Sequence, residues 1–532
     1  MNASLEVERT LDAAAGWSLP SLDGPSGVEG VAAVRDLGVT SLDARYLDTP
    51  RLDLLRRGIT LRRRSGGDDE GWHLKLPAGE GRTEVHAPLG PAEDGAPPAE
   101  LAALVDGVRL GRPLGSVARL RTERATTLLL DGAGDVLASV AVDDVHASTA
   151  EGDEAWREVE VELVDGDVAL LGRVADRLEG SGARPASLPV KLERALGVDA
   201  SWYARGVVAD PPGTGGELVA RYLREQVDAL LDADPGVRRD APDAVHAARV
   251  AARRLRSTLR TFRPVLDREA VEPVRDELRW WGGILGVARD REVQRDRVAG
   301  LLAGLPDELV VGPVHARLAD AFGAGYRAAR RDAVELMDSD RYRELLARLD
   351  ALADAPPLRG RADEPAPDVA GRAVRHAFRR ARKRVETADG VLAGLERAAG
   401  SDEVPATDPA EPGTRGPDAT TPRLAVALHD ARKKLKAARY AAEAAVVVAG
   451  DPAADLAEAL EEVQDVLGAH HDAVVLAGEF RELGMRAHLS GENGFTYGLL
   501  VGLERGRAQA ALADARDAWA TASRRRLRRW TR

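Results

Sequence analysis

The chain of 532 residues contains no cysteine, which removes disulfides, thiolate metal sites and cysteine nucleophiles together. Methionine occurs three times and aromatic residues make up 4% of the chain, a scarcity that counts against a surface stacking nucleic-acid bases on rings. No run of about 18 uncharged apolar residues is present, so the sequence offers no membrane-spanning helix. The first dozen residues carry Glu6, Glu8 and Asp12 in place of the basic-then-apolar profile of a secretory signal, and the expectation is a soluble, cytoplasmic protein. What the chain does have is 44% hydrophobic and 30% charged residues, enough apolar mass for two to four domains at roughly 150 residues each.

The net charge of −12 is unevenly spread. Residues 1–200 hold 22 Lys+Arg against 35 Asp+Glu, a net of −13, whereas residues 201–532 are balanced at 53 against 52. The hydrophobic period changes at the same place. Up to about residue 197 apolar and charged residues alternate, as in Leu5-Glu6-Val7-Glu8, His73-Leu74-Lys75-Leu76 and Glu158-Val159-Glu160-Val161-Glu162, which predicts antiparallel strands. Two apolar segments, 28–37 and 168–179, are expected as helices outside the sheet. The run Asp210-Pro211-Pro212-Gly213 has linker composition, and beyond it the period is helical, with Pro- and Gly-rich interruptions near 355–370 and 400–422. The expected architecture is α+β in two domains: an antiparallel β domain over 1–200, a linker over 201–216, and an all-α domain over 217–525. The helical domain itself divides into repeats of about 217–350 and 370–525, the second containing an acidic, Pro/Gly-rich loop at 400–422.

The strand half is unusual in which residues share a face. Glu6 pairs with Glu8 by alternation, Arg62 with Arg64, His73 with Lys75, Arg82 with Glu84 and His86, Arg119 with Arg121, and Glu158 with Glu160 and Glu162. A half-buried strand ordinarily turns such charges to water, and a plain sheet with solvated outer faces would do so here. If the charged faces instead converge, they line a barrel containing both carboxylates and guanidinium or ammonium groups. Carboxylates hold hard divalent cations, and Arg and Lys hold phosphate oxygens, so the mixture suits a metal–polyphosphate ligand.

The stretches LEVERTL at 5–11, RYLDTPRLDLLRRGITLRRR at 45–64, WHLKLP at 72–77, GRTEV at 81–85, VAVDD at 140–144, WREVEVEL at 156–163 and SLPVKLERAL at 187–196 resemble the CYTH family, also called triphosphate tunnel metalloenzymes. The resemblance implies an eight-stranded antiparallel tunnel that binds triphosphate-type substrates with Mg2+ or Mn2+. It implies metal coordination by Glu6, Glu8, Glu158 and Glu160, and phosphate binding by Arg62, Arg64, Lys75, Arg121 and Lys191. Arg82, Glu84, Arg119, Asp143 and Glu162 would face the lumen without an assigned role. The family signature Glu-x-Glu-x-Lys is matched at Glu6 and Glu8, but Thr10 stands at the lysine position. No catalytic residue is singled out.

The helical half contains an internal repeat. VHAARVAARRLRSTLR at 245–260 and LHDARKKLKAARYAAE at 428–443 each place basic residues at +3, +7 and +10 from a histidine. His246, Arg249, Arg253 and Arg256 thus share one helical face, as do His429, Arg432, Lys436 and Arg439, with Lys433 flanking. HAFRRARK at 376–383 repeats part of the pattern through His376, Arg379 and Lys383. Each main copy is followed by a matching phrase, LGVARDREV at 285–293 and LGAHHDAVV at 467–475; Asp290 and Asp472 are expected to support the fold by pairing with stripe arginines. Aligned like charges destabilise a helix, and an anion along the row relieves them. These phrases resemble the CHAD domain, which implies a helical bundle of two four-helix halves that binds inorganic polyphosphate. Together the resemblances imply a triphosphatase or short-chain polyphosphatase with a polyphosphate-capturing domain, and they extend the expected cytoplasmic location to association with polyphosphate granules. The alternative is a binding protein with a degenerate tunnel. Nucleic acid is disfavoured by net acidity and few aromatics.

Overall fold

The computed structural model describes residues 2–79, 81–90, 95–198, 210–400 and 422–531. Most of the expected linker, at 199–209, and nearly all of the acidic loop, at 401–421, lie outside the described residues. The chain divides into two compact units, Met1–Gly206 with Asp234–Arg239, and Val207–Ala233 with Asp240–Arg532.

The first unit is built on one antiparallel ladder. Its strands are β1 (Asn2–Glu6), β2 (Glu8–Ala13), β3 (Ala33–Asp48), β4 (Thr60–Ser65), β5 (Gly71–Ala78), β6 (Gly81–Ala87), β7 (Gly115–Leu130), β8 (Val136–Thr149), β9 (Asp153–Leu163) and the two-residue β10 (Arg184–Pro185). They pair in the order β1-β6-β5-β4-β3-β7-β8-β9-β2-β10. Only Val7 separates β1 from β2. The first half of this N-terminal strand pairs with β6, Glu6 opposite Arg82, and the second half with β9, Glu8 opposite Glu162. The ladder therefore closes on itself, and with β1 and β2 counted as one strand the ring has eight members. β10 is a short addition on Leu11 and Asp12.

Closure turns the apolar half of each alternation outward, where helices cover it. Helix α3 (Val168–Glu179), capped by the Asp167 carboxylate accepting the Leu170 N–H at 2.7 Å, buries Leu170, Leu171, Val174 and Leu178 against Leu11, Val140, Val159 and Val161. The short helices α1 (Ala99–Leu104) and α2 (Asp106–Arg109) do the same over Leu61, Leu74 and Val85. The segment 168–179 is helical as expected, but 28–37 is not. It is a turn running into β3, whose Ala33 and Val34 pair with Leu130 and Leu129. A short apolar run carries no period of its own, and here pairing with β7 decides it. Helix α4 (Lys191–Ala195) is the last element of this unit that bears on the site.

The second unit is helical: α5 (Gly215–Arg239), α6 (Ala244–Thr261), α7 (Arg268–Ala303), α8 (Val314–Met337), α9 (Asp340–Asp354), α10 (Ala366–Gly400), α11 (Pro422–Ala449), α12 (Asp451–Leu489) and α13 (Phe495–Ala522), ending in a 3-10 segment, Arg525–Thr531. The two basic phrases fall on α6 and α11, and the two LG phrases on α7 and α12. α5–α8 and α10–α13 are thus corresponding sets of four, with α9 inserted between them. The segment 355–365 is non-helical, as its Pro and Gly content predicts, and α10 begins at Ala366. The two sets share a core: Val298, Leu302, Leu318 and Phe322 of the first pack with Leu476, Phe480, Tyr497 and Leu500 of the second. Phe322 and Phe480 meet edge to face, centroids 6.2 Å apart. No helix among the described residues is long and apolar enough to cross a membrane.

Phe480 is 0% exposed at that shared core. Phe480→Ala is expected to cost about 3–5 kcal/mol, read as a lower urea midpoint of the helical signal at unchanged slope.

Candidate functional site

Residues paired across a ladder lie on the same face. Thr60, Lys75 and Glu84 are aligned across β4, β5 and β6, and Arg62, His73 and His86 form the adjacent row. On the other wall Arg124, Asp143, Glu158 and Asp12 are aligned, as are Glu160 with Thr10 and Glu162 with Glu8. With the apolar residues outside, every one of these faces the interior of the ring.

The interior charges form two groups. In the first, the Lys191 ammonium on α4 lies 3.0 Å from Asp143 and also contacts Glu158 and Glu160. The Arg124 guanidinium lies 2.6 Å from Asp143 and 2.5 Å from Glu160. Asp143 is 0% exposed. Burial works to raise Glu160, but Lys191, Arg124 and Lys75 outweigh it and hold this carboxyl well below the usual range. Glu158 goes the other way, raised because burial outweighs Lys191. Its Oε2 accepts the Trp156 indole N–H at 2.5 Å.

In the second group the Lys75 ammonium lies 2.6 Å from Glu6 and 3.6 Å from Glu8. Glu84 takes His73 at 3.1 Å and Arg62 at 3.8 Å, and Arg62 also donates to the Tyr46 hydroxyl at 3.2 Å. Burial pushes Glu6 up to about 7 despite Lys75, and lowers His73 to about 4, so its imidazole is neutral at physiological pH. Arg64 contacts Asp69, and burial with the neighbouring Arg62 and Arg124 lowers it to about 9.

The expected metal ligands are therefore divided. Glu158 and Glu160 join Asp143, and ligand atoms of these three lie within 4.8 Å of one another. Glu6 and Glu8 instead face Lys75. The three-carboxylate set is all oxygen, the donor type that suits a hard divalent cation, and two side-chain cations already converge on it. The residues present fit such an ion, with Lys191 and Arg124 as internal competitors.

Among the expected phosphate ligands, Arg62, Arg64, Lys75 and Lys191 line the interior, but Arg121 does not. It is 68% exposed on the outer face, 3.7 Å from Asp43, and Arg119 is beside it at 2.5 Å from the same carboxylate. The inward residues of β7 are Leu120, Thr122 and Arg124. One end of the interior is itself apolar, with Leu120, Ala44, Tyr46, Ala147 and Trp156 packed around Leu192 of α4. Once Leu120 points inward, alternation places Arg121 outside and brings in Arg124, which the sequence reading missed. Its signal was the change of parity at the adjacent pair Glu123-Arg124. Thr10 faces inward opposite Glu160, its hydroxyl 3.5 Å from the Pro189 carbonyl.

In the helical unit α6 and α11 pack against each other and their basic faces meet. Arg249 is held at 2.8 Å by Asp290. Arg253 donates to the Tyr440 hydroxyl, and Arg254 and Arg439 both reach Glu443, at 2.8 and 2.6 Å. Lys433 turns aside to Asp430 at 2.9 Å. Burial, then Asp290-compensated repulsion from Arg253, Arg432 and Arg249, lowers the Lys436 ammonium to about 7. Arg432 and Asp472 influence each other's charge. His246 and His429 are exposed at the starts of their stripes, and burial together with nearby cations lowers both. Arg256 is likewise lowered by burial and by Arg279, Arg275 and Arg253. The glycines of the two LG phrases occupy matching places: a Cβ on Gly286 would lie 3.9 Å from the Arg249 guanidinium and one on Gly468 3.6 Å from Arg432, both ordinary contact distances.

Family profiles match a CYTH domain over residues 32–183 and a CHAD domain over residues 221–481. Uncharacterized proteins of Mycobacterium tuberculosis strains CDC 1551 and H37Rv are each 37% identical over 522 residues, spanning 95% of this chain and 94% of the relative. Among solved structures, PptA from Streptomyces chartreusis is 24% identical, covering 58% of this chain and 99% of its own, with a TM-score of 0.45. The CHAD domain from the plant Ricinus communis is 22% identical, covering 60% and 95%, with a TM-score of 0.41. CYTH domains are metal-dependent tunnel proteins, and the closed ladder with its inward acidic cluster is followed here by a duplicated basic helical unit: the chain belongs to the CYTH–CHAD family.

Proposed function

We propose that the chain is a metal-dependent phosphohydrolase acting on inorganic triphosphate or short-chain polyphosphate, with a helical domain that binds inorganic polyphosphate. In this reading residues 1–200 are the catalytic domain, 201–216 the linker and 217–525 the binding domain. The observation that carries it is the joint presence, inside one closed ladder, of five cations (Arg62, Arg64, Arg124, Lys75 and Lys191) and a three-carboxylate cluster. A metal–polyphosphate ligand needs both signs. Asp143, Glu158 and Glu160 would hold Mg2+ or Mn2+, which when bound supplies charge neutralisation on the phosphate oxygens. Arg62, Arg64, Arg124 and Lys75 would grip those oxygens and fix the in-line geometry for water. Tyr46 and Glu84 orient Arg62 for that task. Polyphosphate held along Arg249, Arg253, Arg432 and Lys436 would raise the local concentration of chain ends.

A second reading is favoured by Thr10 and by the side-chain cations already on the carboxylates: a polyphosphate-binding protein whose tunnel no longer turns over.

Phosphate release from inorganic triphosphate, with Mg2+ and Mn2+ in turn and a metal-free control, separates the two. Metal-dependent release that falls at least about a hundredfold in Glu160→Gln supports the hydrolase. No release, with long-chain polyphosphate still bound tightly, supports the binding protein. Arg124→Ala is expected to weaken triphosphate binding about tenfold or more while Arg121→Ala leaves it unchanged; the opposite pattern would overturn the assignment of faces.

The depressed Lys436 gives the helical site a pH signature. At pH 8 this amine is largely neutral in the free protein, and a bound polyanion restores its charge. Polyphosphate binding should then take up about one proton at pH 8 and weaken as pH rises from 7 to 9. Calorimetry in two buffers of different ionisation enthalpy measures the uptake, and Lys436→Gln should abolish it.

A further inference from the structure

The basic stripes are partly answered by carboxylates, Asp290 on Arg249 and Glu443 on Arg254 and Arg439. A different part of the helical unit has less such compensation. Beyond Arg256, α6 ends at a cavity of about 910 Å³ whose walls are the end of α6, the first half of α10 and the C-terminal 3-10 segment. Arg260, Arg375, Arg379, Arg380, Arg382 and Arg528 all line it, and among the described residues no Asp or Glu does. Its outer arginines are satisfied. Arg263 has Glu272 at 3.1 Å, Arg361 and Arg372 share Glu364, and Arg382 has Glu386 at 3.5 Å. Arg375 donates to the Thr531 carbonyl.

Arg260, Arg379 and Arg380 have no ion-pair partner among the described residues. Arg260 and Arg380 also line a small adjoining pocket with Lys434 of α11. Arg260 is half-buried, and Arg379 and Arg380 stand exposed at the rim. Burial lowers Arg260, with Arg380, Arg275, Arg256 and Arg263 adding to it, and burial lowers Lys434, with Arg260, Arg380 and Arg384 adding. Uncompensated charge of one sign in a concave site is costly. The floor is fixed as well as charged: Phe378 is buried, and the Arg528 guanidinium lies 3.9 Å above its ring centroid. A volume near the upper end of the small-molecule range, walled by guanidinium forks that match phosphate oxygens in pairs, is shaped for a ligand that packs several phosphates close together.

We propose that this cavity is a second anion site, separate from the α6/α11 stripes, that binds a closely spaced set of phosphates. The ligand chemistry has two sources, a small multiply phosphorylated molecule or the terminal phosphates of a linear chain. The site does not depend on the stripes or the tunnel working as proposed above.

Calorimetry on the full chain at about 0.15 M salt, where surface charges are screened, tests it with two probes, inositol hexakisphosphate and a long linear polyphosphate. The variants are Arg379→Ala with Arg380→Ala, both exposed and so dispensable for folding, and Arg253→Ala with Lys436→Ala in the stripes. Arg331→Ala with Arg505→Ala, also exposed, removes the same charge elsewhere as a control. The cavity pair should weaken inositol hexakisphosphate at least about tenfold, with the stripe pair and the control near wild type, which identifies a small-molecule source. Loss of linear polyphosphate affinity alone in the cavity pair identifies a chain end. Both results support the site. If the cavity pair leaves both probes unchanged, or no more affected than the control pair does, the site does not exist. If the stripe pair weakens inositol hexakisphosphate as much as the cavity pair does, the cavity is not a separate site. Loss of polyphosphate binding in the stripe pair alone bears on the binding-domain reading and leaves the cavity untouched.

Discussion

One strand belongs to two edges of the same sheet, and the first unit depends on that. Because β1 pairs with β6 and β2 with β9 across a break of one residue, the ladder has no long free edge, which removes the usual hazard of exposed strands. Closure also fixes which half of each alternation is enclosed. Outside, Leu61, Leu74, Val85, Val159 and Val161 are covered by short helices. Inside, the charges have no choice but each other. Enclosed ions are tolerable only when paired and hydrogen-bonded, and the interior meets that condition with Lys191 and Arg124 on three carboxylates and Lys75 between Glu6 and Glu8.

That internal pairing bears on what the tunnel can accept. A bare polyanion would have to strip Glu6 from Lys75 or Glu160 from Arg124, leaving a buried carboxylate uncompensated. A bare cation would strand Lys191. A ligand carrying both signs exchanges partner for partner, its metal taking carboxylates while its phosphates take the released ammonium and guanidinium groups. In the function proposed above, this pairing favours metal–phosphate complexes over either component alone. The same pairing bears on Thr10, which stands where the family signature has lysine. A lysine there, opposite Glu160, would add a third cation to a carboxylate that Lys191 and Arg124 already hold.

Much of this was legible in the sequence, and the failures have physical causes. The change from period two to helical period marked the division of the chain, and the repeated phrases marked the duplication. Glu158, Glu160, Arg62, Arg64 and Lys75 were found by parity, since alternation survives in any antiparallel strand, whereas Lys191, on helix α4, came only from the family resemblance. Parity alone cannot say which face is inside, however, and the rule that apolar faces point outward broke at β7. The interior is apolar at one end, so Leu120 went in and Arg121 out. The grouping of Asp143 with Glu158 and Glu160, rather than Glu6 and Glu8 with them, is a matter of cross-strand register, which no single strand carries. The apolar run at 28–37 was decided by its partner strand, outside the window in which a period can be seen.

The two units handle charge in opposite ways. In the tunnel the interior cations each have a carboxylate partner. In the helical unit the stripes are partly answered by Asp290 and Glu443. Toward the end of α6 the answering carboxylates stop while the arginines continue through Arg256 and Arg260 to Arg379 and Arg380. A helix row can carry unpaired charge more cheaply than a closed barrel can, because water reaches it. The cost therefore falls where solvent, or a displaced anion, can supply what the protein does not. A gradient of compensation of this kind, from paired ions to open arginines, grades the molecule by how much unanswered positive charge it presents, with the least compensated region at the arginine cavity.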